Sequence, residues 1–404
     1  MTTYEVPDFL VDPETLPDPI KTSDGPQSFA FLTFKERVPG ILEETIKLNN
    51  FPAEIEASVR ALQTEISSGQ VRALWEVAPD RYFWNEISAP YLGRSWFEVP
   101  WFWAETYLYR RILESTGYFR SGPLRQIDPF GPKKAVEWDP AAAPKLVNQH
   151  LSLLSGDLKE RFRQGLAASL WGNRVDLSYE VAAHLGRTES AGDETANLLV
   201  DHTEQVWQQL CAQGGQHIIV IADNAGTELL MDLALIDFLL NEGLVALVDL
   251  QLKPQPFFVS DAMPKDITAA LQALAHGGEA AIALRKRLQG YLQTRRLRLQ
   301  THWFYPTCLS YFQMPVDLQA ELAAADLVII KGDANYRRLL GDAHWPTTAS
   351  FEAITDYFPV PFVVLRTLKA ELIVGLAPGQ AEVLHAEDPN WKVNGRRGVI
   401  QGNF

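Results

Sequence analysis

The chain has 404 residues, more than one hydrophobic core usually serves, so its length allows two or three structural units. Apolar residues make up 47% and charged residues 21%, a globular balance that excludes wholesale disorder. Lys plus Arg number 36 against 50 Asp plus Glu, and the net charge of −14 argues against nucleic acid as a partner. A small anion stays acceptable, because bases or a metal can reverse the field inside one pocket. Cys211 and Cys308 are too few for a disulfide framework and lack a zinc-site spacing. The first twenty residues carry Glu5, Asp8, Asp12, Glu14 and Asp18 without a basic leader, and no apolar run nears the roughly 20 residues that span a bilayer. These features predict a soluble, cytoplasmic protein with no membrane partner.

The opening segment to about Gln27, rich in Pro and Asp, reads as an extended arm. From Phe34 to about Phe119 the pattern is helical, in "FKERVPGILEETIKLNNF", "PAEIEASVRALQTEISSG" and "WFWAETYLYRRILESTGYF". Trp75, Trp84, Trp96, Trp101 and Trp103 predict a dense aromatic core whose polar handles need partners. Glu105 and Tyr109, at i and i+4, suit a tie to a neighbouring helix or a reach into a cleft, the structural role being preferred for them and for Arg110. More helical pattern runs to about Glu180 and from Asp193 to Gln213.

The grammar then changes. His217 to Ala222, Leu244 to Leu250, Asp326 to Gly332 and Pro361 to Thr367 are short apolar runs rich in β-branched residues, as in strands buried on both faces of a mainly parallel sheet. "GTELLMDLALIDFLLNEG" between the first two reads as a buried crossover helix. Pro256 to Ser260 is a further possible strand, and the basic stretch Arg287 to Gln300 reads as a solvated helix face. The expected fold is therefore α/β: a mostly helical N-terminal domain (1–180) and a Rossmann-like α/β/α domain (181–404).

Ligands of open parallel sheets bind beyond the carboxyl ends of the strands. Those ends carry Asp223-Asn224-Ala225-Gly226 with Glu228 one turn on, Asp261 after "PFFVS", Asp333-Ala334-Asn335-Tyr336-Arg337, and Arg366-Thr367-Leu368-Lys369. Asp223, Asn224 and Asp261 supply the oxygen ligands that hard divalent cations such as Mg²⁺ or Mn²⁺ prefer. Lys331, Arg337, Arg366 and Lys369 supply charge that binds phosphate. Singly, each piece also suits a helix cap, a turn or a surface ion pair. The eight His show no close metal spacing and read as packed or surface residues.

Three separated motifs carry a resemblance: "ADNAGTELLMDLALIDFLL" with "KPQPFFVSDAM", "IIKGDANYRRLLGD", and "RTLKAE". The sequence resembles the damage-control phosphatases, in the subfamily with the RTxK motif to whose name a carboxyl methyltransferase activity is also attached. "WFWAETYLYRRI" extends the likeness to the family's helical domain, and Ala334 stands where Leu is expected.

The resemblance implies a divalent metal (Mg²⁺, Mn²⁺, Co²⁺ or Ni²⁺) held by Asp223, Asn224 and Asp261. It also implies a small phosphorylated metabolite, such as fructose 1-phosphate, met by Asp333, Asn335, Tyr336, Arg337 and Lys369. Lys369 and Lys331 are then expected to offset phosphoryl charge, Asp333 to orient hydroxyls or move a proton, and Glu228 to orient water or a ligand. The alternatives are a methyltransferase using S-adenosylmethionine, which the absence of a glycine-rich loop after a strand disfavours, and a non-catalytic binder of sugar phosphates.

Overall fold

The computed structural model describes residues 6–138, 142–172, 197–212 and 216–404. Seven strands form one sheet: β1 (Leu198–Asp201), β2 (Gln216–Ile221), β3 (Val245–Leu252), β4 (Leu297–Thr301), β5 (Leu327–Lys331), β6 (Phe362–Thr367) and β7 (Gly398–Asn403). Their order is β1-β7-β6-β5-β2-β3-β4. Strands β6, β5, β2, β3 and β4 are parallel, and β7 runs antiparallel to β6. The mainly parallel α/β fold expected from the sequence is the one observed.

The continuous apolar runs follow from burial on both faces. In β2, Ile219 and Ile221 join the cluster shared with the helical half, while Ile218 and Val220 join the cluster beneath the helices Thr227–Asn241 and Glu279–Gln293. The helices Ala143–Leu153 and Leu158–Trp171 belong to this second layer, with Val147, Phe162 and Leu166 in its core. The expected division at residue 180 lies outside the described residues. From β2 the chain winds outward to β3 and β4, then crosses back to β5 and β6, so the strand order switches between β2 and β5. At such a switch the loops diverge and leave a crevice at the carboxyl edge.

Four expectations are corrected. Asp193 to Gln213, read as helical, contains β1 before the helix Thr203–Ala212. The basic stretch Arg287 to Gln300 is helical only to Gln293, turns at Arg295 (φ 58°) and enters β4, where Arg298 pairs with buried Asp249 on β3. Pro256 to Ser260 is a turn, not a strand, with Phe258 and Val259 at φ 41° and 65°. Trp84, Trp96, Trp101 and Trp103 are buried, but Trp75 is 54% exposed beneath Arg120. The indole of Trp96 donates to Glu65 at 3.3 Å, whereas those of Trp101 and Trp103 find no partner.

All sixteen residues of the helix Trp101–Thr116 are buried, including two arginines. Arg110 donates to Asp80 at 2.6 and 2.9 Å and to Glu76 at 2.8 Å, and Arg111 donates to Glu65 at 2.7 and 2.8 Å. Removing one partner of a buried network strands the other charges without solvent. Arg110→Met should therefore cost about 3–5 kcal/mol of stability in urea unfolding; a cost near zero would show that Glu76 and Asp80 are solvated or protonated without it.

His150 is buried in the Ala143–Leu153 helix, and burial lowers its pKa from 6.5 to about 4. Below about pH 6.5 the unfolded chain takes up a proton that the folded chain refuses, so stability should fall as pH drops toward 4. The loss is at most about 3 kcal/mol. His150→Gln should flatten this acid limb in unfolding curves recorded between pH 4 and 7.

Among the described residues no helix is long and apolar enough to cross a membrane.

Candidate active site

Strand β2 ends at Ile221 and delivers Asp223 and Asn224 to the carboxyl edge. After β3 the chain doubles back through the left-handed pair Phe258 and Val259 and lies antiparallel against the β2 extension. Ala262 N donates to Asp223 O at 2.8 Å and Ala225 N to Ser260 O at 2.7 Å, which fixes Asp261 opposite Asn224. On the other side β5 ends at Gly332, whose φ is +92°. A Cβ there would stand 2.1 Å from the Asp223 carboxyl, so only glycine lets this strand end pass. Beyond β6, Lys369 N donates to Asp333 Oδ1 at 3.1 Å.

These strand ends close one side of a cavity of about 210 Å³, lined by Asp223, Asn224, Glu228, Asp261, Asp333 and Lys369. The helical half closes the other side with Phe29, Arg37, Trp101, Glu105 and Tyr109. Trp101, Glu105 and Tyr109 recur every four residues on one face of their helix. Glu105 thus has both roles weighed for it: it ties its helix to Arg337 and it faces the cleft, whereas Arg110 lies within the buried network of its own half. Two cavities of about 460 and 450 Å³ lie elsewhere, against the N-terminal arm and beside Trp391, and contain none of the strand-end carboxylates just named.

The site is crowded with buried carboxylates. Burial first, then Glu228 and Asp261, raises the pKa of Asp223 well above its usual range, and burial raises that of Asp261 against the pull of Lys253. The Asn224 amide bridges two of them, donating to Asp223 Oδ2 at 2.7 Å and Glu228 Oε2 at 2.9 Å, while its oxygen accepts from Ser260 Oγ at 2.5 Å. Asp261 Oδ2 has no hydrogen-bond donor, only the Lys253 amine at 3.2 Å in ion-pair contact. Among the described residues no three His, Cys, Asp or Glu side chains form a metal cluster, so a cation would rest on two aspartates, one amide, water and substrate. That donor set suits Mg²⁺-like ions, which keep several waters and take few protein ligands. The residues fit the group.

Four expected substrate contacts are corrected, because none lines the cavity. Lys331 is buried beneath it, donating to Asp232 at 2.8 Å and to Ser169, with Glu228 at 3.4 Å. Burial opposes its charge, but Asp232 and Glu228 outweigh that and keep it protonated. Asn335 donates back to Lys331 O at 2.8 Å, and Tyr336 donates to Gln401 at 3.0 Å. Arg366 is fully buried, holding Asp333 through Nε at 2.8 Å and the backbone of Leu372 and Ala370. Arg337 does reach the lining, yet it is taken by Glu105 (2.6 Å) and Asp342 (2.8 Å) over the Trp101 ring at 3.6 Å. The three buried cations need their own counter-charges or carbonyls, and the Asn335 amide and Tyr336 hydroxyl are spent on buried acceptors, which leaves little for a ligand. Arg37, Phe29, Trp101, Phe258 and Ser260 line the cavity without having been expected there. Nothing in a helical run distinguishes a cavity-facing arginine from a solvated one.

The fold and site together define an α/β protein whose carboxylate and lysine centre sits at the switch point of a parallel sheet. The family model for the damage-control phosphatase ARMT1-like domain matches residues 33–384. Damage-control phosphatase ARMT1 of Danio rerio is 32% identical over 93% of this chain and 94% of its own length; the Mus musculus protein is 32% identical over 93% and 96%. A DUF89 family protein of Pyrococcus horikoshii superposes with a TM-score of 0.51 at 14% identity, covering 92% of this chain and 98% of that one, which supports the fold. The chain belongs to the ARMT1-like damage-control phosphatase family, and the phosphatase class expected from its motifs is the class of that family.

Gly332→Ala should displace the Asp223 carboxyl while sparing the fold. Since misplacement by about 1 Å can cost a hundredfold, turnover should fall by about that factor with the circular dichroism unchanged; undiminished turnover would show that Asp223 need not stand against this strand end.

Proposed function

We propose that this chain hydrolyses small phosphorylated metabolites, hexose monophosphates such as fructose 1-phosphate among them, with a divalent cation (Mg²⁺, Mn²⁺, Co²⁺ or Ni²⁺) at Asp223, Asn224 and Asp261. The observation that carries this reading is the pairing of Asp223 and Asn224 with Asp261 in a cavity that also holds Lys369, an amine with no carboxylate within ion-pair distance among the described residues. A divalent cation, when bound, polarises a phosphate oxygen and offsets the charge that grows during transfer.

The chain's own groups divide the remaining work. Lys369 binds a phosphoryl oxygen as a point charge, with its backbone N–H anchored on Asp333 Oδ1. Arg366 clamps Asp333, so that its carboxylate faces the cavity in one orientation and can accept a substrate hydroxyl. Glu228 orients the Asn224 amide, and Lys331 with Asp232 holds Glu228 in place from below. Phe29, Trp101 and Phe258 close the cavity with apolar surface and exclude water beyond that needed for hydrolysis. At about 210 Å³ the space is below the roughly 300 Å³ at which pockets for drug-sized ligands begin, which favours a sugar phosphate over a nucleoside cofactor.

Phosphate release from fructose 1-phosphate should require one of these cations and stop on chelation; release that survives chelation overturns the metal assignment. Lys369→Met should lower kcat/KM by about 10²–10³, the usual cost of deleting one preorganised charge donor. Titration calorimetry with S-adenosylmethionine should show no binding, and saturable heat would restore the methyltransferase reading.

A further inference from the structure

Three cations line the cavity: Arg37, Arg337 and Lys369. Arg337 is neutralised by Glu105 and Asp342. Lys369 belongs to the strand-end wall, beside Asp333. Arg37 comes from the helical half, at the last position of the π-helical turn Thr33–Arg37, and is exposed with no ion-pair or hydrogen-bond partner among the described residues.

Two features set Arg37 apart from an ordinary solvated arginine. First, carboxylates exceed bases by 14 in this chain, and Arg110, Arg111, Arg337 and Arg366 all have one. The arginine facing the cavity from the helical wall has none. Second, its charge belongs to the wall opposite the carboxylates. Arg37 and Tyr109 both line the cavity from the helical half, whereas Lys369 lines it from the strand ends. Beside Arg37 the helical wall presents the rings of Phe29, Trp101 and Tyr109, which offer surface for a carbon skeleton but few hydrogen bonds. Two unneutralised cations facing one small cavity are best satisfied by a ligand that is anionic at both ends.

We propose that Arg37 is a specificity-determining residue that binds a second anionic group, a carboxylate or a second phosphate, at the end of the substrate remote from the scissile phosphate. This deepens the phosphatase reading and rests on it for turnover, but not for binding.

The test compares the metal-loaded full chain with Arg37→Gln and Arg37→Lys on fructose 1-phosphate, fructose 1,6-bisphosphate and 6-phosphogluconate. Wild type should favour one or both doubly anionic substrates. Arg37→Gln should lower kcat/KM for the favoured ones, through KM, by about ten- to a hundredfold more than for fructose 1-phosphate, as expected for a lost charged hydrogen bond. Arg37→Lys should restore part of the preference. A preference for the bisphosphate alone identifies a phosphate at the far end, and one for 6-phosphogluconate a carboxylate. Equal losses on all three substrates, or none, overturn the proposal.

Calorimetry with 6-phosphogluconate and the bisphosphate in chelator separates the two readings. Arg37-dependent binding without turnover by wild type would sink the phosphatase reading and leave this one standing. Turnover with no discrimination by Arg37, or no binding of either ligand, would sink this one.

Discussion

The site depends on one short piece of antiparallel backbone pairing. A parallel strand can send a side chain beyond its carboxyl end, but it cannot by itself bring a residue from a neighbouring strand's loop into contact with it. Here the turn at Phe258 and Val259 reverses the chain after β3, and two amide hydrogen bonds lock Ser260 to Ala262 against Asp223 to Ala225. Asp261 therefore meets Asn224 and Asp223 through backbone geometry, without relying on side-chain attraction between groups of like charge. The left-handed conformation of a β-branched valine costs of order 1–3 kcal/mol, and it persists because the sheet on one side and the helix Pro264–Leu274 on the other fix where the turn begins and ends.

That pairing gathers carboxylates in a dry place, and the surrounding charge pattern answers it. Lys253 faces Asp261, Lys331 lies under Glu228 and Asp232, and Lys134 donates to the Asp261 carbonyl at 2.6 Å. None of these lysines lines the cavity. They lower the cost of burying anions without occupying the space in which a ligand would sit. The carboxylates still hold protons more tightly than usual, since desolvation is the largest influence on Asp223 and Asp261. Desolvated carboxylates of this kind gain charge balance from any cation brought against them.

The helical half completes the cleft. One link to the helix Asp333–Leu339 that follows β5 is the Arg337 guanidinium, stacked on Trp101 and bonded to Glu105. A planar cation that stacks and forks at once suits this junction in a way that a lysine would not. The aromatic residues Phe29, Trp101 and Tyr109 line the helical side of the cavity.

Much of this was legible in the residues. Apolar runs rich in β-branched residues marked the four central strands because burial on both faces removes any need for polar alternation. The acidic residues after those strands marked the carboxyl edge. Strands β1 and β7 left little trace: β1 ends in an aspartate, and β7 holds two glycines and a glutamine. Arg287 to Gln300 changes from helix to strand inside one basic run, and Arg298 is drawn into β4 by Asp249, a partner distant in sequence. By itself the sequence determined the α/β class, the family and the set of residues at the strand ends, since these follow from local pattern and motif. Only the tertiary structure decided which cations remain free for a ligand, because neutralisation of a buried charge depends on groups brought together from remote positions: Arg337 and Arg366 were claimed by carboxylates, while Lys369 and Arg37 were not.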